Sequence, residues 1–469
     1  MTLEYDMTNK WSILEYSKKL LGKTLEETIA PTPIQELKGK GRLGQLVEKY
    51  FFGYELNSNQ EADFSEAGLE LKCTPLKELT TKVIAIKERL ALTMIDYSED
   101  PKKSFEESHV YMKCMFMLIL FYLHEAGVPV QQLKFIYSVL WQIPEKDLLI
   151  MKQDYETIIG KIKAGKAHEL SEGDTTYLGA CRKGQKGDAD VIYTLPNGEY
   201  AETPAPKRAF SLKTQYMRTI LEFAKKTGGQ GTYNTSAIVG GYGPQLITEQ
   251  ELMTKSFEDI LLDRFKPYYE FTYNELVKAL DCKGSKAKSK YFLVANEILT
   301  EKGTRGVDVT KSDEFKKSGI IIKTIRLKPN GSSAESMSFE NINYFDILKE
   351  DDWYESRLYD IFTSRFLFIV FQENKDNEIC LKKAFFWTMP REDLKIAEGY
   401  WKNIKNCVHE NHISPEYFYK ASDKKNFHVR PKAKNAADVT PNPHGGTSKK
   451  YCYWFNKEYI KEIVELNQV

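Results

Sequence analysis

The chain lacks what would place it in an oxidising compartment or a bilayer. Its seven cysteines (73, 114, 181, 282, 380, 407 and 452) are odd in number, scattered, and form no Cys-x-x-Cys pair. That excludes a disulfide scaffold, argues against a zinc knuckle, and fits a reducing cytoplasm. Cys407, His409 and His412 lie close together, but their spacing matches no common zinc module. No apolar run exceeds Cys114–Leu123, far short of a bilayer span, so no membrane association is expected. The opening MTLEYDMTNK lacks the basic-then-apolar layout of a signal peptide. Net charge is nearly absent: 67 Lys+Arg against 66 Asp+Glu leave +1, so any charged partner must be read from local patches. No GxxxxGK[ST] motif occurs, so nothing points to ATP-driven translocation.

What is present is an ordinary globular composition, 42% hydrophobic and 28% charged over 469 residues. At about 100–200 residues per domain, that length suggests two to four domains. Charge is uneven along it. Lys424–Lys450 holds seven Lys/Arg and one acid, Asp438. Lys207, Arg208, Lys213 and Arg218 surround Phe210 and Tyr216, and Lys283, Lys286, Lys288 and Lys290 form a third basic stretch. A solvated face is the bland reading of each.

The most informative feature is a repeat. Trp141-Gln-Ile-Pro-Glu-Lys-Asp-Leu-Leu-Ile150 recurs as Trp387-Thr-Met-Pro-Arg-Glu-Asp-Leu-Lys-Ile396, an offset of 246 (387 minus 141). At the same offset Tyr155 and Ile158 meet Trp401 and Ile404. Upstream, Phe64–Lys77 aligns with Phe315–Lys328, an offset of 251 (315 minus 64), and Glu107-Ser108 matches Glu355-Ser356. Order is kept while the offset drifts, as loop insertions cause. The reading is one α/β domain, a mixed sheet flanked by helices, duplicated in tandem: 1–227, a Gly-rich linker at 228–250, and 251–469. In the first copy, apolar spacing predicts a helix around Gln45–Phe52 and another over Asp147–Lys163. Short apolar runs predict buried strands at Gly68–Cys73, Lys113–Tyr122 and Lys134–Trp141.

Chemistry concentrates in Asp63-Phe-Ser-Glu-Ala-Gly-Leu-Glu70-Leu-Lys72. Two apart on a strand, Glu70 and Lys72 leave the same face, and Asp63 precedes a turn that would return it alongside. Two convergent carboxylates can hold Mg²⁺ against a phosphate oxygen, and a lysine there can orient the attacking water or stabilise the transition state. In the second copy Lys323 stands for Lys72, but Ile321 stands for Glu70. A carboxylate exchanged for an apolar residue suggests an inward-facing position, costly for an acid without a metal.

These blocks resemble the MutH-like endonucleases over nearly the whole chain, and more closely the duplicated GATC-specific type II restriction enzymes of the Sau-three-A kind. Gly41-Arg-Leu-Gly-Gln-Leu-Val-Glu48, Asp63…Glu70-Leu-Lys72, Ser108–Lys113, Gly165–Gly173 and Val429-Arg-Pro-Lys-Ala433 carry the likeness. The resemblance implies a restriction-endonuclease-like fold and catalytic Asp63, Glu70, Lys72 and Glu48. It implies Mg²⁺ held by the three acids and cleavage of double-stranded DNA at 5′-GATC-3′. Its DNA contacts would be Lys113, Arg182, Lys183, Lys207, Arg208, Lys213, Arg430 and Lys432. The first reading loop departs from the pattern, with Cys181-Arg-Lys-Gly184 in place of Arg-Pro-Lys-Ala. The second copy would bind a further site without cutting and stimulate the first. The partners implied are DNA, a transient second copy of the chain, and a cognate adenine methyltransferase.

Two alternatives stand beside this. One is a strand-nicking endonuclease of the mismatch-repair type, against which the duplication argues. The other is a DNA-binding protein that never cuts. His109 and His124 flank an apolar strand and read as packing or edge residues, and His168 lies in the Gly165–Gly173 block.

Overall fold

The longest apolar run becomes the centre of the first sheet. The first copy forms β1 (Glu70–Glu78), β2 (Ile84–Ile86), β3 (Leu90–Met94), β4 (Phe116–Leu123), β5 (Phe135–Gln142), β6 (Leu178–Arg182), β7 (Arg208–Leu212) and β8 (Gln230–Thr232). This computed structural model describes residues 4–29, 42–54, 62–183, 188–227, 230–232, 243–300, 306–423, 425–435 and 437–467. Met117 to Phe121 of β4 are all 0% exposed. A strand buried on both faces needs no polar alternation, so the run is continuous. β1 lies parallel to β4 and β5 antiparallel, with β2 and β8 at the edges, in the order β2-β1-β4-β5-β8. β3, β7 and β6 form a smaller antiparallel sheet in the order β3-β7-β6. The strand expected from Lys113 begins later. Ser108 caps a helix, His109–Cys114, by accepting from the Tyr111 backbone N–H at 3.2 Å, and Lys113 rides on that helix.

The second copy repeats the plan with β9 (Ile321–Leu327), β10 (Met337–Asn341), β11 (Phe366–Glu373), β12 (Ile379–Trp387), β13 (Phe427–Pro431), β14 (Val439–Pro441), β15 (Thr447–Lys449) and β16 (Tyr451–Phe455). β9 is parallel to β11, β12 is antiparallel to it, and β10-β16-β13 form the second sheet. Equivalent details recur. Each copy has a 19-residue helix, Glu145–Lys163 or Arg391–His409, with Pro144 or Pro390 at its N-cap. Gly68 and Gly319 precede β1 and β9 at φ 58° and 64°, a left-handed conformation that glycine adopts without strain. Ser356 caps Arg357–Phe362 as Ser108 caps its own helix.

The chain divides into two compact units, Met1–Glu249 with Lys316–Ser318, and Gln250–Phe315 with Gly319–Val469. Within the segment read as a linker, Gln230–Thr232 is edge strand β8 and a helix, Glu249–Thr254, begins at its end. The glycines at 228–229 and 240–241 lie outside the described residues. Among the described residues no helix is long and apolar enough to cross a membrane.

The core of the second unit contains His428, 0% exposed, with neither ring nitrogen hydrogen-bonded among the described residues. Burial, then the charge of Arg430, pushes its pKa down to about 4. Between about pH 4 and the free value of about 6.5, the unfolded chain therefore binds more protons than the folded one. Stability is lost as pH falls through that window, at up to about 1.4 kcal/mol per pH unit. His428→Phe should remove this component. Melting curves of the two proteins from neutral pH to about 4.5 check it, and curves that stay parallel would refute it.

Candidate active site and nucleic-acid interface

A short turn builds the site. Ser65–Ala67 forms one 3₁₀ turn closed by Gly68, and Phe64 and Leu69 exchange backbone hydrogen bonds at 3.0 and 3.2 Å. The fold-back returns Asp63 to β1, where its Oδ2 accepts from the Leu71 N–H at 2.9 Å. Glu70 opens β1 and is 1% exposed. Its Oε1 receives Lys72 Nζ at 2.5 Å and Lys113 Nζ at 2.9 Å. Lys113 arrives because its helix runs almost directly into β4, the neighbour of β1. Glu70 Oε2 is buried and has no hydrogen-bond partner among the described residues.

Glu48 comes from Val47–Phe52, a π-helical turn continuing Arg42–Leu46. Single π turns inside helices mark functional positions more often than chance. Burial, then the charge of Asp63, pushes the Glu48 carboxyl up to about 7 against the opposing pull of Lys72. Asp63 is likewise pushed up by burial and by Glu70. The Tyr54 hydroxyl is buried without a hydrogen-bond partner among the described residues, and burial, Asp63 and Glu48 all raise its pKa. Two carboxyls, Glu48 and Asp63, whose proton affinity is raised by burial and neighbouring acids, beside an unsatisfied buried oxygen of Glu70, suit a hard divalent cation bound through oxygen.

They do not form the expected three-acid cage. Among the described residues no group of three or more His, Cys, Asp or Glu side chains is gathered as a metal would require. Both lysines have closed on Glu70 Oε1 instead, as opposite charges at a low-dielectric position do. Lys113, expected on a DNA-contacting surface, belongs to this cluster.

The remaining basic residues separate into two classes. Arg182 and Lys183 are exposed at the end of β6, and Lys207 is exposed beside them, its carbonyl accepting from the Lys183 N–H at 2.7 Å. Arg430 and Lys432 occupy the corresponding end of β13, where the Lys432 N–H donates to the Lys450 carbonyl at 2.9 Å. Arg208 and Lys213 differ from the expected phosphate ligands. Arg208 Nη1 donates to the Ala180 carbonyl at 2.6 Å, and Nη2 donates to that of Leu170. Lys213 is 8% exposed and donates to the Thr175 carbonyl. Strand pairing turned these two side chains toward protein carbonyls, which a run of basic letters does not disclose. Tyr54 and the Lys113–Glu70 contact were missed; the Ser108 cap was the available signal for Lys113, and none existed for Tyr54. His109 meets Lys103 Nζ at 2.9 Å, while His168 lies 3.7 Å from Glu169.

Residues 52–154 match the family model of the DNA mismatch repair enzyme MutH. The chain is 30% identical to the type II restriction enzyme Sau3AI of Staphylococcus aureus, over 97% of this chain and 98% of that one. It is 28% identical to the DNA mismatch repair protein MutH of Shewanella woodyi, over 41% of this chain and 80% of that one.

Proposed function

Because the chain belongs to the family of MutH-like type II restriction enzymes that includes Sau3AI, we propose that it hydrolyses a phosphodiester bond of duplex DNA at GATC with the help of Mg²⁺. The meeting of Lys72 and Lys113 on Glu70, with Asp63 held at the neighbouring Leu71 N–H, is the observation that carries this reading.

Glu70, Asp63 and Glu48 would hold the cation, which when bound polarises a phosphate oxygen and acidifies water. Glu70 Oε2, buried and without a hydrogen-bond partner among the described residues, would be one of the ligating oxygens. The chain's own lysines do the rest. Lys72 and Lys113, which meet at Glu70 Oε1, would present their ammoniums to the reacting phosphate, where their charge offsets what builds on the phosphoryl oxygens. Burial excludes water from this corner and strengthens each such interaction. Arg182 and Lys183, exposed at the end of β6, would read base edges, since arginine and lysine suit guanine O6 and N7. Lys207 suits a phosphate, a contact that positions without specifying. Arg208 and Lys213 support this reading from within, holding the β6–β7 sheet to the segments that flank it.

Unmethylated plasmid incubated with and without Mg²⁺, with the ends sequenced, tests the proposal. Discrete fragments ending at GATC and dependent on Mg²⁺ are expected. Intact plasmid, under conditions where the protein shifts a GATC duplex on a gel, would leave a binding protein instead.

The second unit keeps Lys323 but has Ile321 where the first has Glu70. It is proposed to bind another GATC site and stimulate cutting through Arg430 and Lys432. A two-site plasmid should then be cut several-fold faster than a one-site plasmid, and Lys432→Ala should remove the difference. Equal rates on both substrates for the unaltered protein would end this part of the proposal. A single cutting centre per chain also calls for transient pairing of two chains, or for two successive nicks; molecular mass measured on DNA separates these.

A further inference from the structure

The counterpart of the cutting centre in the second unit has kept one of its lysines, Lys323, and has Ile321 in place of Glu70. Ile321 opens β9 opposite Phe366 of β11, as Glu70 opens β1 opposite Met117 of β4. Two residues on, Lys323 Nζ donates to the Ser338 carbonyl at 2.7 Å and sits 4.7 Å from the centre of the Phe339 ring. Lys432, from the end of β13, brings its Nζ to the same dipeptide: 3.0 Å from Ser338 Oγ and 3.0 Å from the Phe339 carbonyl. Two ammoniums thus meet on one short stretch of β10.

Among the described residues neither lysine has a carboxylate partner. The nearest acid along β10, Glu340, is clasped by Arg357 at 2.8 Å through both of its oxygens. In the first unit Lys72, the equivalent of Lys323, is neutralised by Glu70; among the described residues no carboxylate takes that place here. Burial, then Lys432, pushes the Lys323 pKa down to about 8, which registers the mutual repulsion. A half-buried ammonium with a like charge beside it is stabilised when an anion completes the set.

We propose that Lys323 and Lys432 form an anion site that grips one phosphodiester of the DNA bound by the second unit. This rests on the reading that the second unit binds DNA. It deepens that reading by assigning the backbone contact to the remnant of the cutting centre. Lysine suits the task because its compact ammonium serves as a point charge for phosphate. With Ile321 in place of an acid, the phosphate is held where no cation is presented to it, so binding proceeds without cleavage.

The test uses the full chain without divalent metal, titrated calorimetrically with a short GATC duplex. Two duplexes per chain are expected for the unaltered protein. Lys323→Met should weaken the second binding event about tenfold, leave the first unchanged, and lower the salt dependence of the second by about one unit of slope. Methionine fills the same volume without a buried charge, so the melting temperature of the ligand-free variant should hold or rise. Second-site affinity and salt slope equal to those of the unaltered protein would overturn the anion site. If the unaltered chain takes up only one duplex, the effector reading fails by itself. Inorganic phosphate then decides the site: stabilisation by phosphate that Lys323→Met abolishes supports it, and equal melting curves for the two proteins overturn it.

Discussion

Replacing Glu70 by Gln is expected to slow single-turnover cleavage by about 10³-fold or more, the scale on which removal of one transition-state-stabilising group is felt. The protein should still fold, because the carboxamide keeps the shape of Glu70 and one acceptor for Lys72 and Lys113, which lie 2.5 and 2.9 Å from Oε1. DNA binding without metal should hold or tighten, since a negative charge facing a phosphate has been removed. Lys72→Ala should lose a similar factor, and Lys113→Ala about 10². The opposing directions separate chemistry from architecture: a merely structural Glu70 would lower binding and melting temperature together with rate. A Glu70→Gln protein that cuts within about tenfold of the unaltered enzyme would place the chemistry elsewhere.

A second large effect is expected far from any substrate. Asp154, 4% exposed in the helix Glu145–Lys163, accepts from the backbone N–H groups of Thr176, Tyr177 and Leu178 at 2.6, 2.6 and 2.8 Å. Burial outweighs the pull of Lys213 and these donors and pushes its carboxyl up to about 6, leaving it ionised at neutral pH. Asp154→Ala would orphan three buried donors and remove the carboxylate whose charge offsets that of Lys213, a loss on the order of 3–5 kcal/mol of stability in the first unit. Asp154→Asn, which retains one acceptor oxygen, should cost about half as much. Urea unfolding measures both. Because these donors lead into β6 and so to Arg182 and Lys183, Asp154→Asn should weaken DNA binding more than cleavage of the DNA already bound. A loss below about 1 kcal/mol for Asp154→Ala would show that water or backbone shifts satisfy the three donors.

Glu70, Lys72 and Asp63 were legible because their relation is local. Strand periodicity sets the first two on one face, and a glycine at φ 58° returns the third. The duplication was legible for a similar reason: Gly68 with Gly319, Ser108 with Ser356 and Pro144 with Pro390 are turn and cap residues whose roles are fixed by near neighbours. Arg208, Lys213 and Lys113 were misplaced because basic letters say nothing of what faces them. Arg208 reaches carbonyls 28 and 38 residues away in sequence, and Lys113 reaches a carboxylate 43 away.

The sequence by itself determined the repeat, the three central strands and the long helix of the first copy, and the acid-to-isoleucine exchange that sets the two halves apart. These depend on periodicity and on residue type at aligned positions. Only the tertiary structure decided which cations face solvent and which face carbonyls, that two lysines share Glu70 Oε1, and that Lys323 and Lys432 meet with no acid between them among the described residues. An ionisable side chain takes its role from the charges and dipoles packed around it. Strand pairing across long sequence separations is what brings those neighbours together.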